Sequence, residues 1–140
     1  MAGYSSTPLL KKLGVKPQSR VAVLGEEIDW LVDQLPADVK TVSHLRARGA
    51  DVVVLFCREM RTLKKRLAAC AAAIAPDGAL WVAWPRKAAG HVSDLGDNAV
   101  RAECLPTGLV DVKVAALSED WSGIKFVWRK ELRRSSLASQ

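Results

Sequence analysis

The sequence is short of the residues from which metal and redox centres are built. It holds three cysteines, Cys57, Cys70 and Cys104, and two histidines, His44 and His91. No cysteines form a CxxC pair, and the histidines stand far apart, so no ligand set has metal-binding spacing and no metal is expected. The cysteines lie in apolar or alanine-rich surroundings and read as buried, reduced thiols, with Cys57, at a strand end, the one redox candidate. Long apolar runs are also missing. The longest, Leu67 to Ala75, is mostly alanine and lies between Lys64-Lys65-Arg66 and Pro76. It falls well short of the roughly 20 residues of a membrane span, so no membrane contact is expected. The opening MAGYSSTPLLKKLG lacks the order of a signal peptide, in which charge precedes a long apolar stretch, and a cytoplasmic location is expected. No GxxxxGK(S/T) loop and no GxSxG elbow occurs, which excludes a P-loop nucleotidase and the serine-hydrolase elbow.

What is present reads as one ordinary globular domain. Of 140 residues, 49% are apolar and 26% charged, enough for a single core. The domain is expected over residues 1–133, with 134–140 a flexible basic and polar tail. The net charge is +6, and half of it comes from the last twelve residues, RKELRRSSLASQ. The basic character is therefore partly that of a solubilising end, with nucleic-acid contact as the alternative.

The apolar pattern alternates between strand and helix. SSTPLLKKLG reads as a short helix, capped by Ser6 or Thr7 and closed by Gly14. VAVLG, residues 21–25, is a strand. EEIDWLVDQL has Ile28, Leu31, Val32 and Leu35 at helical spacing, with acids at its start and Pro36 at its end. DVKTVSHL is a short strand and RARGA a turn. DVVVLFC, residues 51–57, is β-branched and apolar throughout, as in a strand covered on both faces. REMRTLKKRLAACAAAIA is a helix, APDGA a turn, and LWVAW, residues 80–84, a buried strand ended by Pro85. A loop over 86–98 leads to a helix capped by Asp97 or Asn98. Asp111–Leu117 and Ile124–Arg129 are then two strands of a hairpin joined by SEDWSG. Strands alternating with helices imply a Rossmann-like α/β fold with a mainly parallel sheet, closed here by an antiparallel hairpin.

That ending resembles the class I S-adenosylmethionine-dependent methyltransferase fold, in shortened form, and LAACAAAIAPDGALWVAW is similar to that fold's helix, turn and following strand. The phrases YSSTPLLKKLG, LWVAWPRKAAG and SEDWSGIKFVWRK further resemble a family of small, uncharacterised bacterial proteins, a domain of unknown function, from Tyr4 to about Arg133. The chain departs from that family's pattern at SDLGDN, residues 93–98. The methyltransferase resemblance implies a glycine-rich loop after the first strand and an acid ending the second. Here the loop is Gly25-Glu26-Glu27, with one glycine, and the second strand ends Ser43-His44-Leu45-Arg46, with no acid. Only 25 residues separate VAVLG from DVVVLFC. The cofactor site reads as degraded, and the space above Gly25 is expected to be filled or too shallow, with Ile28 or Trp30 closing it.

Catalytic candidates are therefore none, and no cofactor is expected. Ser, His and Asp could be grouped around His44 or His91 with Ser43, Ser93 and Asp94, a grouping available in most chains of this length. Ligands of open parallel sheets lie beyond the carboxyl ends of the strands. Arg46, Arg58, Arg86 and Lys87 fall at those ends and are the anion-binding candidates. Trp121, in the hairpin turn, and Trp128, on a possible edge strand, are the partner-contact candidates. The expected function is a non-catalytic binding or regulatory module for a protein partner, an identical subunit or an anionic ligand. The alternatives are a small methyltransferase relative and a nucleic-acid-binding regulator.

Overall fold

A computed structural model of the chain describes residues 8–26, 28–42 and 49–133, the side chains of 40–42 excepted. Its strands are β1 (Arg20–Leu24), β2 (Lys40–Val42), β3 (Ala50–Phe56), β4 (Ile74–Pro85), β5 (Leu109–Ala116) and β6 (Trp121–Trp128). Its α-helices are α1 (Leu9–Leu13), α2 (Asp29–Val32), α3 (Met60–Ala73) and α4 (Asp97–Cys104). The strands form one sheet in the order β2-β1-β3-β4-β6-β5. β1, β2, β3 and β4 pair in parallel, and β6 joins β4 and β5 antiparallel. The Rossmann-like, mainly parallel sheet with a closing hairpin is thus as the sequence implies.

Both faces of the sheet are covered because the central strands are apolar along most of their length. In β3 only Asp51 is exposed. Val53, Leu55 and Cys57 face a core with Leu63, Leu67 and Cys70 of α3 and Val100 and Cys104 of α4. Val52, Val54 and Phe56 face a second core with Leu13 of α1, Leu31 of α2, Trp81 and Trp121. The pleat sends neighbours to opposite faces, so an uninterrupted apolar run serves two cores at once. Trp81 is fully buried, and its indole Nε1 donates to the Leu13 carbonyl at 3.1 Å, fixing α1 to the sheet.

Several local readings need correction. The predicted turn APDGA lies inside β4, because Ala50 pairs with Ile74 and Val52 with Ala79, leaving the residues between as a bulge. Glycine is needed there, since a Cβ on Gly78 would stand 2.7 Å from the Ala50 carbonyl oxygen. Helix α4 starts after Gly96 and not after Asp97 or Asn98. Asp97 is its first residue and pairs with Arg101 one turn on, at 3.4 Å. Helix α2 is one turn long, shorter than its apolar spacing suggests. Trp121, Ser122 and Gly123 are strand residues paired with Pro85, Trp84 and Ala83, which shortens the hairpin turn. β6 is an interior strand and β5 the edge, so Trp128 is not an edge residue. It packs against the core beside Gly108. The caps Ser6 and Thr7, the second-strand end Ser43 to Arg46, and the tail 134–140 lie outside the described residues. Among the described residues, no helix is long and apolar enough to cross a membrane.

Candidate ligand crevice

The order β2-β1-β3-β4 places a switch point between β1 and β3, where connections leave in opposite directions and open a crevice at the strands' carboxyl ends. A cleft of about 490 Å³ lies there, lined by Gly25, Glu26, Ile28, Phe56, Arg58, Glu59, Thr62, Lys65, Arg66 and Trp121 among others. This corrects the expectation of a filled pocket. Ile28 lines the cleft without closing it, and Trp30 lies to one side, edge-on to Phe56 with ring centroids 5.7 Å apart. Phe56 in turn meets Trp121 edge-to-face at 4.9 Å. The aromatic row forms because Phe56 ends β3, Trp121 begins β6 and Trp30 rides on α2, all on one face of the sheet.

Gly25 belongs to this packing. Its φ is +135°, and a Cβ would meet the Phe56 Cβ at 2.7 Å and the Phe56 carbonyl oxygen at 3.0 Å. The missing side chain makes room for the neighbouring strand, so the one glycine of the β1 turn is accounted for by the fold.

Arg58 is the one anion candidate that the structure brings into the cleft. Its guanidinium lies 5.1 Å from the centre of the Trp121 ring, a cation–π arrangement. Its carbonyl accepts a 2.7 Å hydrogen bond from Ser93 Oγ, and Asp94 accepts from the Met60 N–H at 2.8 Å, capping α3 from a distant loop. Arg86 is placed differently. Its guanidinium donates to the carbonyls of Ser118 at 3.4 Å and Glu119 at 3.0 Å, and its N–H to the Asp120 carbonyl at 2.8 Å. It holds the hairpin turn. Lys87 is exposed in a short 3₁₀ turn (Lys87–Ala89), and Arg46 lies outside the described residues. Sequence reasoning missed Lys65 and Arg66, which reach the cleft from α3. The run Lys64-Lys65-Arg66 in the helix that follows a buried strand is the signal that could have found them. Glu59, the nearest acid on that side, lies 3.6 Å from Arg61, and Lys64 pairs with Glu103 outside the cleft.

The remaining candidates are resolved by burial. Trp121 is 6% exposed and roofs the core, the first of the two readings its sequence position allows, with partner contact the other. Cys57, Cys70 and Cys104 are all buried and free, and burial pushes their thiols up, to about 12, 11 and 12 respectively. Such thiols resist ionisation and are poor nucleophiles, so Cys57 does not fit the redox role. No Ser-His-Asp group forms around His91. Its Nε2 lies 2.9 Å from Asp120 Oδ1, while Ser93 and Asp94 are engaged elsewhere. That pair borders a second cleft of about 470 Å³, next to the first, with Trp30, Pro85 and Glu119. Among the described residues no group of side chains could hold a metal ion.

Residues 21–130 match the model of a protein family of unknown function, DUF3052. The chain belongs to the DUF3052 family. No curated protein matches the sequence of this DUF3052 chain. Among solved structures, its fold is similar to a SAM-dependent methyltransferase from Aquifex aeolicus, with a TM-score of 0.58, 12% identity and 89% of each chain covered. It is also similar to a TehB-like SAM-dependent methyltransferase from Corynebacterium glutamicum, at TM-score 0.57 and 10% identity over 86% of this chain and 85% of that one. Fibrillarin from Methanococcus jannaschii, a pre-rRNA processing protein, matches at TM-score 0.54 and 10% identity, over 90% and 70%. At these identities the likeness is one of fold: this DUF3052 chain has a class I methyltransferase-like architecture.

Proposed function

We propose that this chain is a non-catalytic binding module of the cell interior, in which a methyltransferase-like crevice takes an anionic ligand, free or carried by a protein partner. The observation that carries the reading is the cation set of the crevice. Arg58, Lys65 and Arg66 line it against Glu26 and Glu59, and Glu59 has Arg61 beside it. A rim of this kind attracts phosphate or carboxylate groups. It opposes S-adenosylmethionine, whose reactive centre is a sulfonium cation. The close approach of Phe56 accounts for the glycine at position 25 without a cofactor.

The test is thermal melting with inorganic pyrophosphate against chloride at equal ionic strength. A ligand that binds only the folded chain raises the melting temperature, and a concentration near one hundred times Kd adds about 2.7 kcal/mol. Pyrophosphate is expected to stabilise the wild type, and Arg58→Ala and Arg66→Ala each to lose most of that effect when compared in a Lys113→Ala background. An unchanged melting temperature in the wild type overturns the reading. The second reading, a methyltransferase relative, is favoured by the open cleft at the switch point and by the shared fold.

A further inference from the structure

A second concentration of positive charge lies away from the crevice, where α1 crosses the hairpin strands. β5 and β6 place Lys113 directly opposite Lys125. Directly opposed residues of an antiparallel pair have their Cβ atoms about 5 Å apart, and like charges there are destabilising. A lysine on the edge strand β5 is explained as a guard against edge pairing. Lys125 sits on the interior strand β6, where that explanation does not apply. A third lysine joins them from α1. Lys12 is only 5% exposed, and its Nζ donates to the Ala116 carbonyl of β5 at 2.8 Å. Burial first, and then the charge of Lys113, hold its ammonium below the ordinary lysine range. None of the ion pairs among the described residues includes Lys113 or Lys125. The Lys125 amine lies beside Gly14, whose φ of +84° leaves the end of α1 without a side chain there. A cleft of about 400 Å³ opens on that side, lined by Gly14, Lys16, Gln18, Ser19 and Lys125. Asp51 and Asp77 line the same cleft, Lys12 and Lys113 lie outside its lining, and Asp51 accepts a hydrogen bond from the Arg20 N–H at 2.8 Å.

We infer that Lys12, Lys113 and Lys125 form a binding site for a phosphate-type oxyanion, independent of the crevice beyond β1 and β3. A dianion between Lys113 and Lys125 removes their repulsion, and Lys12, fixed by its carbonyl bond, adds charge from below. No side chain is common to the two sites.

The experiment is amide NMR of the full chain titrated with inorganic phosphate, at constant ionic strength. Saturable shifts are expected at Gly14, Lys113, Ala116 and Lys125. Lys113→Ala is expected to weaken binding by about tenfold or more, the loss that follows from one charged hydrogen bond. Arg58→Ala is expected to leave these shifts intact, so failure here is distinct from failure at the crevice. Lys125→Glu supplies an opposed ion pair, and is expected to melt higher than the wild type and to lose the phosphate response. Absent shifts, or shifts untouched by both lysine substitutions, overturn the inference. A single-stranded oligonucleotide and free pyrophosphate are then compared. Tighter, steeply salt-dependent binding of the oligonucleotide at the same amides identifies a nucleic-acid backbone as the source, and equal binding a free phosphate.

Discussion

Gly25 has a positive φ and a neighbour, Phe56, standing where a side chain would go. Gly25→Ala therefore adds backbone strain and an overpacked contact at once. It is expected to cost about 2–4 kcal/mol in denaturant melts. The cysteines give a second prediction at this scale. The folded chain holds the Cys57 proton to about 12, against an ordinary value of 9.0. The unfolded thiol ionises first, so this contribution is intact below pH 9 and stability falls as pH rises from about 9 towards 12. Native protein at pH 8 is expected to react slowly with a thiol reagent, and quickly only once denatured. A fast native reaction at Cys57 would contradict its burial. Burial of the cysteines was legible from their apolar surroundings. The contact that explains Gly25 was not, because Phe56 approaches it across the sheet from 31 residues further along the chain.

The turn between β5 and β6 is held from outside itself. Arg86 donates to two of its carbonyls, and the turn carries Trp121 to its place under Arg58. Arg86→Ala leaves those carbonyls without their charged donor and is expected to cost about 1–3 kcal/mol. Loosening the turn should also change Trp121 fluorescence, which can be followed during the melt. Trp81 does the corresponding work for α1. Trp81→Phe removes the bond to the Leu13 carbonyl and is expected to cost about 1–2 kcal/mol, with faster amide exchange in residues 9–14. β3 was legible because its short apolar run is β-branched, whereas the alanine-rich run from Leu67 belongs to α3. Strand order was not. The hairpin pattern of β5 and β6 is the same whichever strand faces β4, so Trp128 was read as an edge residue until pairing put β5 outside. The end of α1 at Gly14 was legible, but the start of α4 was not: Asp97 is its first residue and pairs with Arg101 one turn along.

For the molecule as a whole, the alternation of strands and helices and the final hairpin specified a methyltransferase-like sheet, and family membership over residues 21–130 agrees with it. The crevice was less legible. Strand ends pointed to Arg58, whereas Lys65 and Arg66 reach it from the helix that follows, and their approach depends on how α3 packs on the sheet. The scaffold has a methyltransferase-like architecture, and the proposed preference of its crevice is for anions. Isothermal titration of the wild-type chain with S-adenosylmethionine tests this most directly. No saturable heat is expected at millimolar cofactor, and a stoichiometric isotherm with a micromolar Kd would overturn the anion-binding proposal.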